Sequence, residues 1–233
     1  CVANQNPVST FDTNVRGTWS VLEACRRSPL VEQVIVSSSD KAYGEQAKLP
    51  YTEDMPLLGI HPYDASKACA DRLAQTYASQ FGLPVAITRC GNLFGGGDRA
   101  WSRLVPGTIR RLLRGEKPLI RGDGSAVRDW LYVEDAVDAY LLLAEHQGSW
   151  RRSRGEAFNL SLGVHMKVTE VVDWIVKVMG IKVREYEYTP ATPGEIQAQT
   201  LDCSKADNVL GWTPKHTFGE GVAKTVAWYR ETL

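Results

Sequence analysis

Tyr63 and Lys67 stand four residues apart in the run Tyr63-Asp64-Ala65-Ser66-Lys67. On a helix, positions i and i+4 share one face, one turn apart. A free phenol, with a pKa of about 10, is a poor base at neutral pH, but a nearby ammonium favours the phenolate. The pair is therefore a workable proton shuttle for oxidising an alcohol. Alone, the spacing more often describes an exposed helical pair of little energetic consequence. The segment upstream gives it weight. Val34-Ile35-Val36 is a short β-branched apolar run, typical of a buried parallel strand, and it ends in Ser37-Ser38-Ser39. Ligands of open parallel sheets lie beyond the carboxyl ends of the strands. A serine hydroxyl there can hydrogen-bond the reacting oxygen beside the tyrosine. Asp40 and Lys41 follow Ser39 directly. They offer an acid and an amine for proton transfer or, in the plainer reading, an exposed pair in a loop.

The surrounding elements must place these groups. Residues 9–27 predict a helix, with Ser9 or Thr10 as cap and Val15, Trp19 and Leu22 recurring at steps of three and four. Tyr63 to Gln80 reads as a second helix, ended by Gly82. Residues 84–89 form a second buried strand, and Gly91 to Asp98 a Gly-rich loop. Residues 104–114 predict a basic amphipathic helix, 117–120 a short strand and 122–124 a turn. Residues 128–133 lead into a helix over 134–145, and Arg151 to Arg154 form a basic exposed loop. A third strand is expected at 157–160, an extended run at 183–188, and helices at 168–179, 204–210 and 218–231. Strand and helix alternate through residues 9–160 with separations that need crossovers, which defines an α/β chain with a parallel sheet. The last 70 residues are more mixed and read as a cap over the sheet.

Composition narrows the function classes. The chain of 233 residues is 43% hydrophobic and 23% charged, enough to bury a core. Its 27 basic and 27 acidic residues balance, which argues against a general nucleic-acid or polybasic membrane binder. No apolar run is long enough to span a membrane. Five scattered cysteines without a C-x-x-C pair read as a reduced, cytoplasmic protein and exclude a disulfide scaffold or a Cys-based zinc site. The four histidines form no H-x-x-x-H pair, so no metal is expected.

The order Ser39…Tyr63-x-x-x-Lys67 on these elements resembles the short-chain dehydrogenase/reductase superfamily. Asn14-Val15-Arg16-Gly17-Thr18, Arg89-Cys90-Gly91-Asn92-Leu93-Phe94-Gly95, Arg128-Asp129-Trp130-Leu131-Tyr132-Val133-Glu134-Asp135 and Leu210-Gly211-Trp212-Thr213-Pro214 resemble its extended branch, the nucleotide-sugar epimerases and dehydratases. The resemblance implies a Rossmann-type parallel sheet with a smaller mixed substrate-binding domain. Residues 1–92 plus 129–161 would form the NAD-binding part, and 93–128 plus 162–233 the nucleotide-sugar part. It implies NAD in preference to NADP. The Gly-rich βα turn with which the family opens has no counterpart here. Gly95-Gly96-Gly97 lacks the strand–turn–helix frame of such a turn. The expectation is a truncation of roughly the first 70–80 residues and weak NAD binding by the chain alone.

The residues after Ser39 discriminate among reactions. The family's 4-epimerases carry small or neutral residues there, whereas its 4,6-dehydratases carry an acid and a second proton-transfer residue. Asp40-Lys41 is similar to the CDP-glucose type, and the dTDP-glucose type carries Asp-Glu. Gly95-Gly96-Gly97-Asp98 followed by Arg103-Leu104-Val105-Pro106 agrees with the former. Arg128-Asp129-Trp130 departs from its Arg-Pro-Trp form, so CDP-glucose and GDP-mannose types both stay open. The resemblance implies that Tyr63 takes the sugar 4-hydroxyl proton while hydride leaves C4. Asp40 then protonates the departing 6-hydroxyl. Lys41, made neutral by burial and nearby Lys67, takes the C5 proton, and hydride returns to C6. It implies Ser39, Asp40, Lys41, Tyr63 and Lys67 as catalytic, and Ser37, Tyr63, Lys67 and Arg89 at the cofactor. Asn92, Arg128 and Arg103 would bind the diphosphate of a nucleotide-diphosphate hexose, Arg103 being as well read as a solvated helix-start residue. Trp19, Trp130, Trp174 and Trp228 read as core or interface. A homodimer through helices 9–27 and 63–81 follows from the resemblance. A 4-epimerase, with Asp40 and Lys41 as bystanders, and a non-catalytic nucleotide-binding scaffold remain the competing readings.

Overall fold

The computed structural model describes residues 2–145, 155–191 and 194–233. The expected basic loop at 151–154 lies outside the described residues. Two compact units are present.

The first unit takes 1–91, 137–160 and 201–213. Its sheet has three parallel strands in the order β1 (Val34–Ser37), β2 (Val85–Cys90), β6 (Ala157–Leu160). Every residue of the central strand β2 is buried, as a strand covered on both faces requires. Helices α3 (Gly17–Arg27) and α4 (Pro62–Phe81) pack against it through Leu22, Ala74, Ala78, Val85 and Ile87. Ala70, Ala74 and Ala78 recur every fourth residue and are buried, which lets α4 approach the sheet closely. Gly82, in the left-handed region at φ 66°, ends α4 as expected.

The single helix expected over 9–27 is instead subdivided. Val2–Gln5 (α1) and Pro7–Phe11 (α2) lead through a π-turn at Asp12–Arg16 into α3. Asn6 caps α2 by accepting the Ser9 N–H at 3.1 Å, and Pro7 takes a first-turn position. The cap therefore lies upstream of Ser9 and Thr10, because Pro7 needs no N–H partner there.

A buried polar network runs behind the sheet. Arg89 of β2 holds Asp71 of α4 through two bonds, at 2.8 and 3.0 Å. It also donates to the Tyr43 hydroxyl at 2.9 Å and the Glu53 carbonyl at 3.0 Å. Tyr43 in turn donates to Asn159 Oδ1 at 2.8 Å. Arg89 and Asp71 side chains are 2% and 0% exposed. Breaking such a buried pair from one side leaves the other charge uncompensated, so Arg89→Met is expected to cost about 3–5 kcal/mol. Urea unfolding at neutral pH measures this; a loss below about 1 kcal/mol, the range of an exposed pair, would contradict it.

The second unit takes 92–136, 161–200 and 214–233. Here β5 (Val127–Tyr132) pairs in parallel with β3 (Asn92–Phe94) and β9 (Ala198–Gln199), and antiparallel with β7 (His165–Lys167). A separate parallel pair joins β4 (Leu119–Arg121) to β8 (Glu187–Thr189). Helices α5 (Leu104–Leu113), α7 (Val168–Met179) and α9 (Phe218–Thr232) enclose an aromatic core of Phe94, Trp130, Tyr132 and Phe218. The sheet is mixed, as the expected smaller domain requires. Trp130 is a core residue, Trp228 packs against the core, and Trp19 and Trp174 are partly exposed.

Two boundaries differ from those expected. Residues 129–136 belong to the second unit, because the run that leads into the helix is itself a strand, β5, and finds every strand partner there. Residues 201–213 belong to the first. Leu201 bridges Tyr51, and α8 (Ser204–Leu210) lies in the same unit as β6. Helix α6 (Val133–Glu145) begins directly after β5.

Candidate active site

The carboxyl end of β1 runs through Ser37, Ser38 and Ser39 into a 3₁₀ turn at Asp40–Tyr43. Ser39 is extended and caps that turn, its hydroxyl accepting the Lys41 N–H at 3.2 Å while donating to Asp40 Oδ1 at 3.0 Å. Asp40 is 2% exposed, and its other oxygen meets Lys41 Nζ at 3.3 Å. The turn ends at Gly44, at φ 67°, where a Cβ would fall 2.5 Å from the Leu58 carbonyl oxygen. Only glycine fits there.

Helix α4 brings the second half of the site. Tyr63 opens its first turn and is 37% exposed. One turn on, Lys67 donates to the Ser37 carbonyl at 2.9 Å, its Nζ 6.0 Å from the Tyr63 ring centroid. Burial pulls the Lys67 ammonium below its ordinary value. Between them Ser66 donates to the Tyr63 carbonyl at 2.7 Å and accepts from Asn14 Nδ2 at 2.9 Å. The Asn14 motif thus pins the turn that carries Tyr63, and the π-turn aims Asn14 at it. Nothing local in the sequence pointed to that bond, whose partners are 52 residues apart.

Cys90 closes the carboxyl end of β2. Burial pushes its thiol up to about 12, the hydroxyls of Thr88 and Tyr140 are its hydrogen-bond partners, and Asp40 and Lys67 lie near enough to act on it. It is a packed thiol, not a nucleophile.

Lys67 also gives a pH signature. Its folded value lies below the lysine reference of 10.5, so in the window between the two the unfolded chain binds the extra proton. Stability must rise with pH through that window, be fully gained above the unfolded value, and be lost as pH falls through the folded one. Urea midpoints just below pH 10.5 should show this rise in the natural protein and less of it in Lys67→Met; parallel profiles would contradict it.

Ser37, Ser39, Asp40, Lys41, Tyr63 and Lys67 are thus gathered on β1, its following turn and the first turns of α4. Arg89, expected at the cofactor, is not among them. Its guanidinium is committed to Asp71, Tyr43 and Glu53, which makes it a strut beneath the turn. Asn92, Arg103 and Arg128 lie in the second unit. Asn92 stands in β3, in register with Trp130. Arg128 is 7% exposed and bonds the carbonyls of Val127 and Gln197, with Glu195 at 3.1 Å. Arg103 pairs with Asp98 at 3.0 Å with a 66% exposed side chain, which fits the solvated reading. Among the described residues no group of acidic, histidine or cysteine side chains is arranged to hold a metal, and no helix is long and apolar enough to cross a membrane.

Parallel strands with a Ser, Tyr and Lys set at their carboxyl end define an extended short-chain dehydrogenase/reductase of the NAD-dependent sugar-nucleotide dehydratase/epimerase class. The chain belongs to the GDP-mannose 4,6 dehydratase family, whose model matches residues 2–225. It is 33% identical to a dTDP-glucose 4,6-dehydratase of Streptomyces antibioticus over 97% of this chain and 65% of that protein. The structure of the Streptomyces venezuelae dTDP-glucose 4,6-dehydratase DesIV, solved with NAD bound, superposes with a TM-score of 0.88 at 30% identity, covering 98% of this chain and 69% of that one. A UDP-glucose 4-epimerase of Thermotoga maritima, solved with UDP-glucose, gives 0.89 at 32% identity, covering 99% and 74%. The chain thus spans about two thirds of the length of the dehydratases, 65% and 69%.

Proposed function

We propose that the protein acts in the NAD-dependent dehydration of a nucleotide-diphosphate hexose to its 4-keto-6-deoxy sugar. The observation that carries this reading is the contact of buried Asp40 with Lys41 at 3.3 Å, in the turn that Ser39 caps. Oxidation at C4 alone does not use such a pair, whereas elimination needs both an acid and a base. The family likeness to the dTDP-glucose enzymes supports it.

The residues fit the nicotinamide-ribose end of NAD. Lys67 spends one of three N–H donors on Ser37, and the Ser38 hydroxyl is buried without a protein partner in the same segment. When bound, NAD supplies the hydride acceptor and returns the hydride. Tyr63 takes the 4-hydroxyl proton, and the Lys67 charge stabilises its phenolate. Ser39 orients Asp40. Asp40 then protonates the departing 6-hydroxyl, Lys41 receives the C5 proton, and Lys41 gives a proton back to C5 once C6 has been reduced. The net redox change is zero. Asn92 and Arg128 would hold the diphosphate, with a guanidinium fork suited to phosphate oxygens.

A homodimer through 9–27 and 63–81 belongs to this reading, supported by exposed Phe11, Trp19, Val21 and Phe81 on those segments. A cytoplasmic setting agrees with the free thiols of Cys25, Cys69, Cys90 and Cys203. A 4-epimerase is the second reading, favoured by the likeness to the Thermotoga enzyme. Incubating the protein and NAD with a panel of nucleotide hexoses separates them. Loss of one water by mass supports dehydration; a C4 epimer of unchanged mass supports the alternative.

A further inference from the structure

Three successive carbonyls at the exit of the Asp40 turn each meet a donor from outside it. Ala42 and Tyr43 accept the Gly59 and Leu58 N–H groups, both at 3.1 Å. Gly44 accepts the Tyr51 hydroxyl at 2.9 Å. The first two donors are backbone groups that any residue but proline supplies, whereas the third belongs to one side chain. Tyr51 is fully buried, its ring tilted against that of Tyr43 with centroids 5.0 Å apart. Its own carbonyl is fixed twice, by Asn159 Nδ2 and by the Asp202 N–H, both at 2.9 Å. Asn159 Nδ2 also donates to the Asp202 carbonyl at 3.1 Å, and Asn159 Oδ1 accepts the Tyr43 hydroxyl at 2.8 Å. The two tyrosines at the exit of the turn thus lead to one side-chain amide on β6.

We propose that Tyr51 is a positioning residue: its hydroxyl, anchored to β6 through Asn159, holds the Asp40–Lys41 turn in the place that water elimination needs. The effect on elimination rests on the dehydratase reading above; the hold on the turn does not. The two ends of the turn are held by different means. Ser39 caps the entry, its hydroxyl accepting the Lys41 N–H at 3.2 Å, a bond local to the turn. Tyr51 ties the exit to the edge strand of the sheet. Asp40 and Lys41 lie between the two ends, so play at the exit displaces the acid and the amine. Tyr63 and Lys67 stand on α4 and are held through Ser66, Asn14 and the Ser37 carbonyl, by bonds that do not pass through Tyr51. Loss of the Tyr51 hydroxyl should therefore slow elimination and spare C4 oxidation. A misplacement near 1 Å costs about 10²-fold in rate. A turn freed at one end moves less than that, so about 10-fold is expected. Phenylalanine at this position keeps the ring and both bonds to the Tyr51 carbonyl, which isolates the one hydroxyl.

The test compares Tyr51→Phe with Val85→Ala, a substitution in the buried core at the opposite end of β2 that lowers stability away from the turn. Amide hydrogen exchange of the 233-residue chain reads the hold directly. The Ala42 and Gly44 N–H groups close the turn on the Ser39 and Lys41 carbonyls, both at 3.1 Å. Tyr51→Phe should quicken their exchange by about 10-fold, the worth of one hydrogen bond. The reference is the Gly91 N–H, which donates to the Leu160 carbonyl of the sheet at 3.0 Å. Val85→Ala should not set the turn apart from that reference. Exchange quickened equally at all three amides by Tyr51→Phe, or at none, overturns the positioning. In the protein loaded with NAD and a hexose that it dehydrates, Tyr51→Phe should slow water loss by about 10-fold, with reduced cofactor accumulating in a single turnover. Equal loss in oxidation and elimination marks a merely structural role and contradicts the proposal. Quickened exchange with an unchanged rate of water loss removes the consequence for catalysis. Quickened exchange in a protein that dehydrates no hexose sinks the dehydratase reading and leaves the hold on the turn standing. Should Tyr51→Phe fail to fold, trimethylamine N-oxide restores the compact state without supplying the missing bond, and the same comparisons decide.

Discussion

Replacing Tyr63 by Phe lowers turnover of the NAD-loaded protein by about 10²–10⁴-fold, the contribution of a positioned general acid–base group. The substitution removes one oxygen from a ring that is 37% exposed at the mouth of α4. The bonds that hold that turn use the Tyr63 carbonyl, Ser66 and Asn14, none of which changes. Loss of the hydroxyl should therefore cost far less in stability than in rate, and a kinetic loss much larger than the change in urea midpoint is the signature expected. Lys67 cannot substitute for the phenol, because its Nζ is turned to the Ser37 carbonyl. A single-turnover measurement should show no reduced cofactor, since the first oxidation is already blocked. A variant that keeps more than about a tenth of the natural rate would place Tyr63 outside the mechanism.

Local pattern made much of this site legible. The apolar run 34–36 and the four-residue step from Tyr63 to Lys67 located β1, α4 and the Tyr–Lys face, because both periodicities are properties of single elements. Arg89 was misplaced for the opposite reason. Its type and position suit an anion ligand, but its partners Asp71, Tyr43 and Glu53 come from separate parts of the chain, and only the fold brings them to it. Strand β5 was hidden by its charges. Arg128 and Asp129 break the apolar run, yet Arg128 pairs with Glu195 at 3.1 Å and Asp129 shares a hydrogen bond with His165 at 2.9 Å, so both are buried in a strand.

Asp40→Asn and Lys41→Met should separate elimination from oxidation. Asparagine keeps the size of Asp40 and can still accept from the Ser39 hydroxyl, which donates to Asp40 at 3.0 Å, but it has no acid proton to give. Methionine keeps the stem of Lys41 and removes the amine that meets Asp40 at 3.3 Å. The cap of the turn survives both changes, because Ser39 accepts from the backbone N–H of residue 41, not from its side chain. Oxidation at C4 draws on Tyr63 and Lys67, which neither substitution touches. Each variant should therefore form reduced cofactor on substrate and then stall, losing water release by about 10²-fold or more, the size of a missing proton-transfer group. Absorbance of the reduced cofactor in a single turnover, read beside product mass, shows both halves at once. Normal dehydration by both variants would remove the dehydratase assignment. Interconversion of C4 epimers by both, with no mass change in the natural protein either, would put the epimerase in its place, since epimerisation needs the oxidation half alone and no group that protonates a leaving hydroxyl.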